Sequence, residues 1–242
     1  MADVWLGLDL GTSSVKCIAL DAGGDVVAAA QQRYRIDRPR PGWAEQDPQA
    51  WWLAVVGVIA DVRSQLGGSR AVRAIGLAGQ MHGVVLVDSA HSPVRPAIIW
   101  SDARAVTEVE RWRRSPGDDV VERLTGFRSA SGMAALSLAW LRAEEPAALG
   151  RARHAMQPKD FVRLRLTGDA ALDPTDAGAS LLFDLDSGAP AVPLLEAADI
   201  DDTLLPPVLP TLSAAGSLTV AAAEDLGLPV GIPIATGGET RR

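Results

Sequence analysis

Cysteine is nearly missing from this chain. Cys17 stands alone, which excludes an internal disulfide and any cysteine-cluster metal site. It falls in an apolar stretch, where a small core residue is expected. Lysine is almost as scarce: Lys16 and Lys159 are the two instances, so the positive charge is carried by arginine. Basic residues are outnumbered, 23 Lys and Arg against 30 Asp and Glu, for a formal charge of −7. That balance argues against a nucleic-acid partner, which needs a basic face. No apolar run approaches the roughly 18 residues of a membrane-spanning helix, so no membrane partner is expected. The opening "MADVWLGLDLG" lacks the charged start and cleavage pattern of a secretory signal, and a reducing, cytoplasmic compartment is the expectation. Internal repeats and low-complexity tracts are absent too. What is present is ample core material: 48% of the 242 residues are hydrophobic, enough for one large domain or two small ones.

The pattern along the chain reads as a mixed α/β fold. Val4 to Asp9 reads as a buried strand, followed by a turn at Gly11-Thr12-Ser13 and a second strand from Ser14 to Leu20. Asp21-Ala-Gly-Gly-Asp25 is a hairpin signal, and Val26 to Ile36 continues as a third strand, so three antiparallel strands open the fold. After a Pro/Gly loop, Asp47 and Pro48 predict a helix start. The helix runs to about Leu66, with Trp52, Val55, Val56 and Ile59 on one face and Gly67-Gly68 ending it. Strands follow at Val72 to Ala78 and Val84 to Asp88, and Val94 to Trp100 is extended. Helices are expected over Ala103 to Arg114, Ala134 to Glu145, Gln157 to Gly168 and Ala221 to Leu226, with a last strand at Ile232 to Thr236. Antiparallel strands first, then strands alternating with helices, indicate a mixed sheet.

The chemistry-bearing stretch is "LGLDLGTSSVK", Leu6 to Lys16. It contains neither a P-loop nor a dinucleotide-binding glycine fingerprint, and a strand rather than a helix follows the turn. Gly11 allows close backbone approach. The amides and hydroxyls of Thr12 and Ser13 are donors suited to an anion. Asp9 is a carboxylate suited to Mg²⁺, which favours one or two carboxylates with phosphate oxygens, and Lys16 adds positive charge. Spacing alone leaves two readings open, a phosphate cradle and a plain hairpin turn.

The stretch "GLDLGTSSVK" resembles the first phosphate motif of the FGGY carbohydrate kinase family. The resemblance continues in order through "PGWAEQDPQAWW", "IGLAGQMHGVVLVD", "RPAIIWSDAR", "PKDFVRLRLTG" and "DPTDAGAS", nearly the whole chain. It implies an α/β ribonuclease-H-like (actin-like ATPase) lobe with a mixed sheet, its first three strands antiparallel and helices on both faces. In this family two such lobes enclose a cleft, and the γ-phosphoryl of MgATP passes to a sugar hydroxyl. Residues 1–242 would be the N-terminal lobe, with the C-terminal adenine-binding lobe absent. ATP and Mg²⁺ are the implied cofactors, with Asp9 organising the metal and Gly11, Thr12, Ser13 and Lys16 meeting the triphosphate. The "GQMHG" and "WSDAR" segments resemble those of members acting on D-xylulose. Met81 and His82 would contact the sugar, with Trp100 and Asp102 beside the same pocket.

Each of these has a plainer alternative. His82 could be a hydrogen-bonded histidine at a strand start, Met81 core filler and Trp100 the closure of a sheet edge. Asp102 could be the N-cap of the helix from Ala103. Lys159 and Asp160 read as structural. Another ketopentose, a polyol or gluconate are alternative substrates, and a non-catalytic sugar-binding lobe or sensor is an alternative role. A homodimer or a separate second lobe is the expected protein partner.

The sequence departs from the family at one place. The proton-accepting aspartate of the family sits in a "GGGDN"-like segment after the last strand of the first lobe. Here "IPIATGGETRR" places Thr240 at that position. Glu239, one residue early, is the remaining candidate carboxylate. On a strand of alternating faces it would point the other way.

Overall fold

A computed structural model describes residues 2–67 and 70–239, with Glu239 described by its backbone alone. The chain opens as expected. β1 (Ala2–Leu10), β2 (Ser14–Asp21) and β3 (Val26–Arg33) form an antiparallel meander. Val4, Leu6, Leu8 and Leu10 alternate into the core from β1, and Val15, Cys17 and Ala19 join them from β2. A short strand β4 (Glu45–Gln46) precedes helix α1 (Pro48–Leu66). Asp47 caps α1 by accepting the Gln49 N–H at 2.9 Å, and Gly67 closes it in the left-handed conformation. The second glycine of the predicted stop, Gly68, lies outside the described residues. The buried stripe of α1 is Trp51, Val55, Val58 and Val62 with Trp52 and Ile59, while Val56 is only partly buried. The 3.6-residue period counted from Trp51, not from Trp52, sets that face.

β5 (Arg70–Gly79) runs parallel to β1, and β6 (Val85–Val87) and β7 (Ala97–Ile98) follow. Next come α2 (Val106–Trp112), α3 (Asp118–Thr125), α4 (Ala134–Glu144), α5 (Pro146–Arg151), β8 (His154–Met156), α6 (Pro158–Thr167), α7 (Pro174–Ala179) and α8 (Val192–Ala198). The chain closes with β9 (Ala214–Ser217), α9 (Val220–Leu226), β10 (Pro233–Ala235) and β11 (Gly238–Glu239). The main sheet has the order β3-β2-β1-β5-β10-β9, with β11 also pairing β5. β1, β5, β10 and β11 are parallel to one another, so the mixed sheet is the one the sequence implied.

α1 packs on β2 and β3, α6 packs on β5, β9 and β10, and α1, α6 and α9 touch one another. These helices therefore share the sheet face that carries Val4, Leu6 and Leu8. The opposite face holds Trp5, 38% exposed, with Ile18 and Leu20 half-buried beside it. Gly79 lets α6 come close, because a Cβ there would sit 2.9 Å from the Lys159 Cβ. Among the described residues no helix is long and apolar enough to cross a membrane. The parallel strands β1, β5 and β11 end together, at Leu10, Gly79 and Glu239. The carboxyl ends of parallel strands are where open α/β sheets place ligands.

Candidate functional site

The turn after β1 is held from several sides. The Gly11 N–H donates to the Ser14 carbonyl at 3.0 Å. The Tyr34 hydroxyl donates to the Gly11 carbonyl, and the Tyr34 N–H donates to the Ser13 carbonyl at 3.2 Å. Gln46 Nε2 donates to the Thr12 carbonyl at 2.8 Å. All four carbonyls from Gly11 to Ser14 are thus engaged by the protein itself. An anion entering the turn meets amides and hydroxyls rather than unengaged carbonyl oxygens, which is what a phosphate cradle requires. Burial, with the Asp9 carboxylate next, pushes the Tyr34 phenol far above its ordinary range, so it stays protonated and donating. Asp9 and Lys16 are cross-strand partners in the β1–β2 register. Asp9 thus brings a hard oxygen ligand beside the Thr12 and Ser13 hydroxyls, a donor set that fits Mg²⁺ shared with phosphate oxygens.

The second wall comes from the end of β5. The Gln80 N–H donates to the Leu10 carbonyl at 2.8 Å, which carries the β1–β5 ladder one residue past the strand. Gln80 Nε2 donates to Gln46 Oε1 at 3.0 Å, so one chain of amides links "GQMHG" to the Gly11–Ser14 turn. His82 follows in the left-handed region, φ +69°. Its N–H donates to Gln157 Oε1 at 2.7 Å, and its Nδ1 lies 2.9 Å from the Ala179 carbonyl. A carbonyl only accepts, so Nδ1 carries the proton and Nε2 of the neutral ring is an acceptor. The Phe127 ring meets the imidazole edge-on at 6.0 Å. Trp100, 48% exposed, crosses between the walls and donates from Nε1 to Thr12 Oγ1 at 2.9 Å.

One cleft of about 600 Å³ is therefore lined by Asp9, Gly11, Thr12, Ser13, Lys16, Met81, His82 and Trp100. The structure brings together eight of the residues the sequence singled out. Gln31, Gln80 and Ser14 also line it and were not anticipated. Gln46 and Tyr34, which brace the turn from behind, were missed as well. Tyr34 is the chain's one tyrosine, at the end of β3, and that rarity was the available signal. A larger open groove of about 790 Å³ lies between α5 and α8. It contains none of these residues, and its Arg142–Asp199 pair is a solvent-exposed one.

Asp102 is a correction. It is 2% exposed and does not line the cleft. Its Oδ1 accepts the Arg104 N–H and Nε at 2.8 and 2.9 Å, and its Oδ2 accepts Arg104 Nη2 at 2.8 Å and the Ala44 N–H at 2.5 Å. With both oxygens doubly engaged, no lone pair remains for a sugar hydroxyl. It does not cap a helix either, because α2 begins at Val106. Arg104 in turn stacks over Trp43 at 3.7 Å and bridges to Glu45 at 2.8 Å. Asp102 anchors the loop that presents Trp100.

Lys159 and Asp160 are structural, as expected, within a larger buried cluster. Lys159 Nζ lies 2.6 Å from Asp160, 2.8 Å from Asp173 and 3.2 Å from Asp176. Arg163 adds a second contact to Asp160 at 2.9 Å. The three carboxylates have the spacing of a cation site, and the Lys159 ammonium fills it. Burial raises Asp176 well above the carboxylate range, and the charges of Asp160 and Asp173 add to the rise against the pull of Lys159. Asp173 is held low: burial opposes this, but the charge and hydrogen bond of Lys159 outweigh it. A proton on Asp176 leaves two anions against two cations, the neutral balance a dry site favours. The chain then returns to the main sheet, with Gly238 beside Ala78 and Glu239 beside Gly79 in the β11–β5 register. Thr240 lies outside the described residues.

The model of the "FGGY family of carbohydrate kinases, N-terminal domain" matches residues 4–241. Xylulose kinase from Escherichia coli (strain K12) is 34% identical over 97% of this chain and 48% of its own length. Glycerol kinase from Methylibium petroleiphilum is 37% identical over 87% of this chain and 44% of its own. The crystal structure of xylulose kinase from Rhodospirillum rubrum superposes with a TM-score of 0.94 at 32% identity, covering 98% of this chain and 49% of that one. The chain spans about half the length of the curated relatives it matches.

Proposed function

Because the chain belongs to the FGGY family of carbohydrate kinases, we propose that it supplies the phosphate- and sugar-binding lobe of a MgATP-dependent kinase for D-xylulose. The observation that carries this is the single cleft in which the Gly11–Ser13 turn faces Met81 and His82, joined by the Trp100–Thr12 hydrogen bond. Met81 and the Trp100 ring give the sugar an apolar wall, and His82 Nε2 accepts one of its hydroxyls. The Thr12 and Ser13 amides and hydroxyls would meet the phosphates, and Asp9 would hold Mg²⁺ beside them. Bound there, the metal neutralises charge on the transferring phosphoryl group. In this reading residues 1–242 are the N-terminal lobe, adenine is held by a second lobe, and the protein works in the cytoplasm. The carboxylate that takes the hydroxyl proton is left unassigned, with Glu239 as the candidate. A second reading keeps the chemistry and changes the acceptor to a polyol, another ketopentose or gluconate. The identity with a glycerol kinase favours its polyol form.

The test is sugar-dependent ADP release from MgATP across D-xylulose, glycerol and gluconate. The lobe reading predicts no turnover by the 242 residues alone, and D-xylulose-selective turnover once an adenine-binding lobe is supplied. An ordinary kinase rate from the chain alone contradicts the two-lobe division, and selective turnover of glycerol contradicts the choice of sugar.

A further inference from the structure

Resting on the sugar-kinase reading, we propose that Gln157 is the positioning residue of the sugar site: it fixes His82 so that Nε2 faces the cleft as an acceptor. His82 adopts φ +69°, a backbone conformation that side-chain-bearing residues rarely hold without outside support. The support is Gln157, 2% exposed at the start of α6. Its Oε1 accepts the His82 N–H at 2.7 Å, and its Nε2 donates to the Asp176 carbonyl in α7. A carboxamide has one acceptor end and one donor end, so these two partners leave a single orientation of the amide. The Gln157 backbone is tied as well, its N–H donating to Asp160 Oδ2 at 3.3 Å, with Asp160 gripped by Lys159 and Arg163.

The imidazole is fixed by the same helix. Nδ1 donates to the carbonyl of Ala179, the last residue of α7. Gln157 therefore holds the His82 backbone to α7 while α7 holds the ring. Losing Gln157 frees the backbone to leave the left-handed region, which carries Nδ1 away from Ala179 and lets the proton move to Nε2. The ring would then offer a donor where the sugar hydroxyl needs an acceptor.

Calorimetric titration of D-xylulose into the chain, as wild type, Gln157→Leu, His82→Ala and the double variant, tests this. One lost hydrogen bond that acts through His82 should weaken binding about tenfold in Gln157→Leu. In the His82→Ala background the same change should add no more than about a twofold loss, because residues acting as one unit are not additive. Equal losses in both backgrounds, or no loss in the wild-type background, overturn the proposal. ¹⁵N NMR of the imidazole provides a second readout that needs no sugar. The wild type should show the Nδ1–H tautomer and Gln157→Leu a mixture of both; an unchanged tautomer overturns the proposal. If the leucine variant does not fold, Gln157→Met, of equal reach, takes its place. A wild-type chain that binds no D-xylulose contradicts the choice of D-xylulose as the sugar, and the tautomer then decides on Gln157 separately.

Discussion

His82 and Asp102 show how residues of similar promise part ways. His82 lines the cleft and keeps one ring nitrogen as an acceptor, whereas Asp102 has both oxygens taken by Arg104 and Ala44. Asp102→Asn should therefore destabilise the fold by about 3 kcal/mol, since it breaks a buried pair. It should leave D-xylulose affinity within about twofold, because the residue is buried and does not line the cleft. Urea unfolding and a sugar titration read the two effects, and a large affinity loss at unchanged stability would restore Asp102 to the site. The sequence could not separate the two residues, because an aspartate before a helix serves equally as cap, ion-pair partner or ligand. Nor could it supply Tyr34 and Gln46. They act through the carbonyls of a turn distant in sequence, and no local pattern records that.

At the scale of elements, legibility followed length and local chemistry. The meander was readable because β1 alternates and Asp21–Asp25 is a tight turn. α1 was readable because Asp47, Pro48 and Gly67 mark its ends. Asp47→Ala should cost about 1 kcal/mol by removing the acceptor of the Gln49 N–H. A shift in the urea midpoint with an unchanged slope checks it, and no shift would mean that tertiary packing alone sets the start of α1. The helices α3, α5, α7 and α8, six to eight residues long, escaped notice. Segments that short show about two turns of periodicity or fewer, and these four, unlike α9 with its Thr219 cap and closing Gly227, rely on packing against neighbours rather than on a clear run of local signals. That gap mattered for the site, because α7 holds both the Ala179 carbonyl and part of the buried charge cluster.

Over the whole molecule, the Lys159 cluster joins α6 to α7 behind the cleft, and its protonation links stability to pH. Asp173, held low, contributes stability above the ordinary carboxylate range that is lost as pH falls through its folded value. Asp176 has the opposite sign. Its folded value is raised, so stability falls on its account as pH climbs from about 4 through that value. Asp176→Asn, a neutral isostere, should gain stability over the wild type as pH rises, with little difference near about pH 4. Urea unfolding across that range checks this, and a variant that is weaker at neutral pH would show that the charged form is the native one. The cleft in front of this cluster brings the proposed phosphate and sugar sites together in one lobe. The most direct measurement is an equilibrium titration of D-xylulose into the wild-type chain and into His82→Ala. Saturable binding, weakened about tenfold or more in the variant, is the result predicted from loss of the acceptor. No binding by the wild type, or equal binding by the variant, would contradict it.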